Sequence, residues 1–271
     1  MANVRRMLHA RRIPGTARLL PLAVVAVIVS ATVGHPGDVK QEVSRPIETG
    51  HDRAARAVVV DGGEAIRMQW KLGGFLGTLI GLFIPSTGEA LISFAPRADD
   101  RTEFGFLVTS VKREGEYFLY GAEIDEHSRS TEVVWSSQMF RGELKQREQE
   151  IDDPDVVDYA AGFYRLRWDP PTTTTRMTLW SEGKTYPVDV VPLEEDVRKI
   201  AGKKIKTRGY RVRGAKVDGV RTYDNDLWVY FALDERATLV EFVAKRGMVK
   251  ARVRMVGTEG AVREPVDLAR R

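Results

Sequence analysis

Residues able to do chemistry are few in this 271-residue chain, and their spacing forms no catalytic set. The absence of cysteine removes disulfides, thiolate metal sites and cysteine nucleophiles together. Beyond residue 34 the histidines are His35, His51 and His127. Glu126-His127-Ser128 brings acid, base and hydroxyl together in sequence, but adjacent residues of a strand or turn point different ways, so they make no triad. No G-x-S-x-G, H-E-x-x-H or phosphate-loop pattern occurs. The run IDDPDVVD offers Asp152, Asp153, Asp155 and Asp158 as oxygen donors, yet it lacks the alternating ligands and central glycine of a calcium loop. Carboxylates beside Pro154 suit a helix start better, with Asp153 or Asp155 as its cap. No catalytic residue, metal or cofactor is therefore assigned.

Two stretches are better suited to binding. In KLGGFLGTLIGLFIPSTGEALISF, residues 72–88 carry no charge. Phe75, Leu76, Leu79, Ile80, Leu82 and Phe83 recur at helical spacing, and Gly73, Gly77 and Gly81 form a small-residue row that lets another surface approach closely. The run is too short for a membrane span, and Pro85 ends it. It reads as core strand, as a lid over an apolar cavity, as a membrane-dipping or partner-binding tip, or as a self-association surface. The second stretch, 198–216, holds nine basic residues and no acidic one. At strand spacing Lys204, Lys206 and Arg208 share a face, and Arg211 and Arg213 share one after an irregularity at Gly209. Such a stripe suits anionic headgroups or polymers, or simply a solvated face.

These stretches must be held by a fold whose dominant period is two. EAIRMQWKL sets Ile66, Met68 and Trp70 against Arg67, Gln69 and Lys71. TEFGFLVTSVKR, EYFLYGAEID, TEVVWSSQMF, RMTLWSEG, TYPVDVVPL, DLWVYFAL and ATLVEFVAKR alternate similarly. PDVVDYAAGFYRLR (154–167) reads as a helix started by Pro154. Strands joined by short turns predict a mainly β fold, an antiparallel curved sheet or half-barrel with one short helix.

Residues 1–34 read as a signal peptide or N-terminal anchor: five arginines, no acid, then the apolar run from Leu19. Residues 35–60 read as a flexible spacer, 61–257 as the β-barrel-like domain, and 258–271 as a polar tail. Removing the leader's five arginines from the 42 basic residues leaves 37 against 38 acidic, so the net charge of +4 belongs to the leader and nucleic acid is not an expected partner.

The order of elements is informative in itself: a strand ending in glycines, STGEALISF with Gly88-Glu89-Ala90, long hairpins, a helix with Tyr164 and Arg167, EGKTYPVDV, and a closing FALDERATLVEF hairpin. In this order, residues 64–256 resemble a family of exported bacterial proteins known as domain of unknown function 3108. The resemblance implies an envelope location and a curved antiparallel sheet, and carries no reaction. One departure is the interposed FLGTLIGLF. The expectation is an exported periplasmic or envelope protein that binds an apolar or lipidic ligand without catalysis. The alternatives are an assembly protein docking an envelope partner through 73–84, and a hydrolase with no visible motif.

Overall fold

The computed structural model describes residues 63–74, 86–97, 99–110, 113–140 and 142–260. Period two becomes strand wherever one face can be buried. In β1 (Glu64–Gly73), Ile66, Met68, Trp70 and Leu72 are buried while Arg67, Gln69 and Lys71 are exposed. The hairpins β2 (Thr87–Pro96), β3 (Arg101–Ser110), β4 (Arg113–Asp125), β5 (Ser130–Phe140) and β6 (Glu143–Glu150) extend the sheet on one side of β1. On its other side lie β16 (Val249–Gly260), β15 (Leu239–Arg246), β14 (Asn225–Ala232), β11 (Lys203–Gly214), β9 (Lys184–Pro192), β8 (Thr175–Ser181) and β7 (Val156–Val157). β10 (Asp196–Ile200) pairs with β11, and β12 (Lys216–Val217) with β13 (Val220–Arg221) form a separate small ribbon.

Every pairing in this 14-stranded sheet is antiparallel except β7 with β8. Register shifts at Arg67/Met68, Thr109/Ser110, Glu123/Ile124 and Tyr230/Phe231 add local twist and bend. The sheet thereby wraps around one helix, α1 (Tyr159–Trp168), whose Ala160, Ala161, Phe163, Tyr164 and Leu166 enter the core. Aromatic rings join helix and sheet: Tyr164 lies 6.4 Å from Phe94, and Phe163 5.7 Å from Phe242.

The expected mainly β, curved antiparallel fold is thus the observed one. Three expectations within it change. The helix starts at Tyr159, not Pro154, because Val156 and Val157 pair with Thr178 and Leu179 of β8. Its cap is Asp158 instead of Asp153 or Asp155; the Asp158 carboxylate accepts from Ala161 N at 2.9 Å, while Asp153 accepts from Asp155 N in the turn before. The last strand runs to Gly260, pairing Thr258 with Ile66, three residues into the expected tail.

Asp158 also helps to bring the two ends of the sheet together. It accepts from Tyr120 of β4 at 2.5 Å and from Thr131 of β5 at 2.6 Å, and its N–H returns to Thr131 Oγ1 at 2.8 Å. Four hydrogen bonds in a fully buried site offset the desolvation of the group.

Candidate functional site

Helix α1 does not fill the interior evenly. Between one face of the helix and the inner faces of β8, β9, β11, β14 and β15 lies a groove. Its cavity volume is about 40 Å³, within about 600 Å³ of space outside the atoms when the solvent-open mouth is included. Strand alternation supplies an apolar wall of Met177, Leu179, Val188, Val190, Val212, Leu227 and Ala244. The helix supplies Tyr159, Gly162, Phe163 and Leu166.

Gly162 keeps this space open. A Cβ built there meets no atom within 4 Å beyond the helix's own backbone and its chain neighbours. Glycine inside a helix costs about 1 kcal/mol relative to alanine. Neither a close neighbour nor a positive φ requires it at this position.

One end of the groove is polar. The Tyr159 and Tyr223 hydroxyls hydrogen bond to each other. Tyr223 is placed by Thr222, whose Oγ1 donates to Pro187 O at 2.7 Å and whose N–H donates to Ala215 O at 3.0 Å, tying the small ribbon to β9. Burial pushes both phenols above their usual range, that of Tyr159 strongly; for Tyr223, the hydrogen bond with Tyr159 and the nearby Asn225 amide pull the other way. Both phenols therefore keep their protons through neutral pH and offer hydrogen bonds. Ser181 Oγ lies close enough to influence both phenols yet outside hydrogen-bond geometry. Asn225, at the start of β14, completes this end, and its Oδ1 is buried without a partner.

The opposite end of the interior holds a buried ion pair. Arg167 donates to Glu64 Oε2 at 2.5 Å and to the Arg236 carbonyl at 2.7 Å, with its guanidinium 5.5 Å from the Phe94 ring and 4.7 Å from that of Trp168. Arg208 donates to the Arg167 carbonyl at 2.7 Å. The helix residue singled out in the sequence is thus a clamp between β1, the β14–β15 turn and α1.

The basic stripe does not form one surface. The register of β11 against β14 runs unbroken through Gly209, so Arg211 and Arg213 take the opposite face from Lys204, Lys206 and Arg208. Arg208 serves the helix end, and Arg211 pairs with Asp226 at 3.0 Å over the Trp228 ring. Lys204, Lys206 and Arg213 are exposed. A tighter cluster lies on the outer face, where fully buried Glu241 receives Arg198 at 3.1 Å, Arg252 at 3.4 Å and Arg254 at 2.8 Å.

Phe75, Leu76, Gly77, Leu79, Ile80, Gly81, Leu82 and Phe83 lie outside the described residues. Their flanks are placed: Leu72 N donates to Ser86 O at 2.8 Å, so the segment leaves and returns at one point on the rim. Gly73 ends β1 with ordinary room for a Cβ; the demand for glycine falls on Gly74, with φ of 81° and the Met248 carbonyl against it. The pairings Asn225–Arg246, Arg246–Val249 and Lys250–Gly73 put this rim at the groove's end of the sheet.

Neither a family model nor a curated protein matches the sequence, so the resemblance to family 3108 gains no support from that side. Among solved structures, the chain is similar to a beta-barrel-like protein of domain of unknown function DUF1849 from Brucella abortus, at 11% identity and TM-score 0.41, over 74% of this chain and 98% of that one. It is also similar to the Mycobacterium tuberculosis lipoprotein LppX at 11% identity and TM-score 0.31, over 76% and 91%. Similarity this distant adds nothing to the groove's chemistry, which stands on the residues above.

Proposed function

We propose that this is a non-enzymatic, exported cell-envelope protein that holds an apolar or lipidic ligand in the groove beside α1. The observation that carries the reading is Gly162: a helical glycine facing empty space, opposite a wall of valine, leucine and methionine. A structural helix in a filled core gains from any larger apolar residue there. A binding groove requires the vacancy. The apolar leader motivates the envelope location.

The test is native mass spectrometry of the mature chain purified from a bacterial periplasm without detergent. A bound mass in the lipid range is expected for the natural chain, and its loss for Gly162→Leu, which fills the groove with the fold intact by circular dichroism. A bare natural chain, or unchanged loading of the variant, rejects the reading.

One observation favours a second role, the docking of a membrane or envelope partner by residues 73–84: the described residues that flank this apolar stretch, Leu72 and Ser86, meet on the rim at the groove's end of the sheet. Leu79→Ser with Phe83→Ser should then abolish vesicle or partner binding while ligand loading persists. Binding unchanged by both substitutions removes the stretch from the account.

A further inference from the structure

If the groove holds a ligand, as proposed above, its polar end sets the chemistry of that ligand's head. Asn225 is 7% exposed, and its Oδ1 is a buried acceptor with no donor. Such a group is costly to leave unmade and calls for an O–H or N–H from whatever enters.

The charges nearby are already engaged. Two carboxylates line the groove, and both are occupied. Asp158 accepts from Tyr120, Thr131 and Ala161 N. Asp226 pairs with Arg211 at 3.0 Å and Arg221 at 2.8 Å. No basic side chain lines the groove among the described residues. An anionic head would lose its water among Met177, Leu179, Val188 and Val190 and find no free cation. A cationic head would find no free carboxylate. The two phenols, bonded to each other, add no charge.

We infer that the groove takes an uncharged amphiphile whose hydroxyl or amide hydrogen is donated to Asn225 Oδ1 and whose hydrocarbon part runs along Gly162. Alcohols, monoacylglycerols and primary or secondary amides belong to this class; free fatty acids and alkylamines do not. The narrow interior suits a single slender chain.

Four probes of equal chain length separate the possibilities: 1-octanol, methyl octyl ether, octanoate and octylammonium, each titrated calorimetrically into the delipidated mature protein at pH 7. Octanol is expected to bind about tenfold tighter than the ether, which cannot donate, and tighter than either ion. In Asn225→Leu, similar in shape without the acceptor, octanol and ether should bind alike. Equal binding of octanol and ether to the natural chain overturns the inference while sparing the groove, since a water then serves Asn225. A preference that survives in Asn225→Leu overturns it equally, because the donor then goes elsewhere. Binding of none of the four overturns the groove reading itself. The octanol-to-ether ratio on the natural chain needs no variant, so a misfolded Asn225→Leu leaves the test intact.

Discussion

Gly88 and Gly162 both lie inside the curved sheet, and what replaces their missing side chains differs. At Gly88 a Cβ would collide with the Trp70 indole and the Thr109 carbonyl; the indole lies across the glycine and donates to that carbonyl at 2.9 Å. At Gly162 nothing takes the place. One glycine admits a large ring and completes the packing of β1, β2 and β3. The other leaves the packing incomplete beside β8, β9 and β14. A well-packed interior normally has no room that a methyl group could fill at no steric cost. The contrast supports the proposed groove on the second side and a packing role on the first.

The most damaging way to break this contrast is Trp70→Ala, which empties the packed side. A loss of about 4 kcal/mol is expected from urea unfolding, with apolar-dye uptake at a new cavity. Next is Arg167→Met, which leaves Glu64 buried without its partner; about 3 kcal/mol should go, and Glu64→Gln in the same chain should return part of it. Gly88→Ala forces ring and backbone apart and should cost about 2 kcal/mol. Gly162→Ala sharpens the contrast because its sign reverses: the chain should gain about 1 kcal/mol in the same assay. A loss at Gly162 would mean that the vacancy is filled by structure.

The smallest effect concerns pH. Folding raises the phenols of Tyr120, Tyr159 and Tyr223, so the native state holds protons that the unfolded chain releases near pH 10. Stability from these groups is complete below about pH 10 and is lost as pH climbs through the raised values. Thermal unfolding between pH 8 and 11 should show the decline, and Tyr159→Phe with Tyr223→Phe should flatten it.

How much of this was legible in the sequence follows from whether a signal is local. Ile66, Met68, Trp70 and Leu72 announce β1 because burial alternates along one segment. ELKQREQE gives no such signal: β6 is exposed along nearly its whole length, a charged edge that discourages further pairing. The helix was legible but its start was not, since Val156 and Val157 fit the helical pattern as well as the pairing with β8 that claims them. Tyr159, Ser181, Tyr223 and Asn225 come from four separated segments, and no spacing in the chain joins them. Gly162 drew no attention within AAGFY, because its meaning depends on what stands opposite.

The first and last described strands, β1 and β16, are neighbours in the middle of the sheet, with Ile66 beside Thr258. The seam therefore forms only after β16 is made, later than every other described strand. Until residues near 250–260 are available, the hairpins before and after the helix are two unjoined flaps with unpaired edges, and contacts so distant in sequence form slowly. A stop codon shortly before Val249 would leave two open-edged sheets prone to aggregate instead of a shortened barrel. Joining the two ends and cutting the chain at an exposed turn should, in turn, hasten closure.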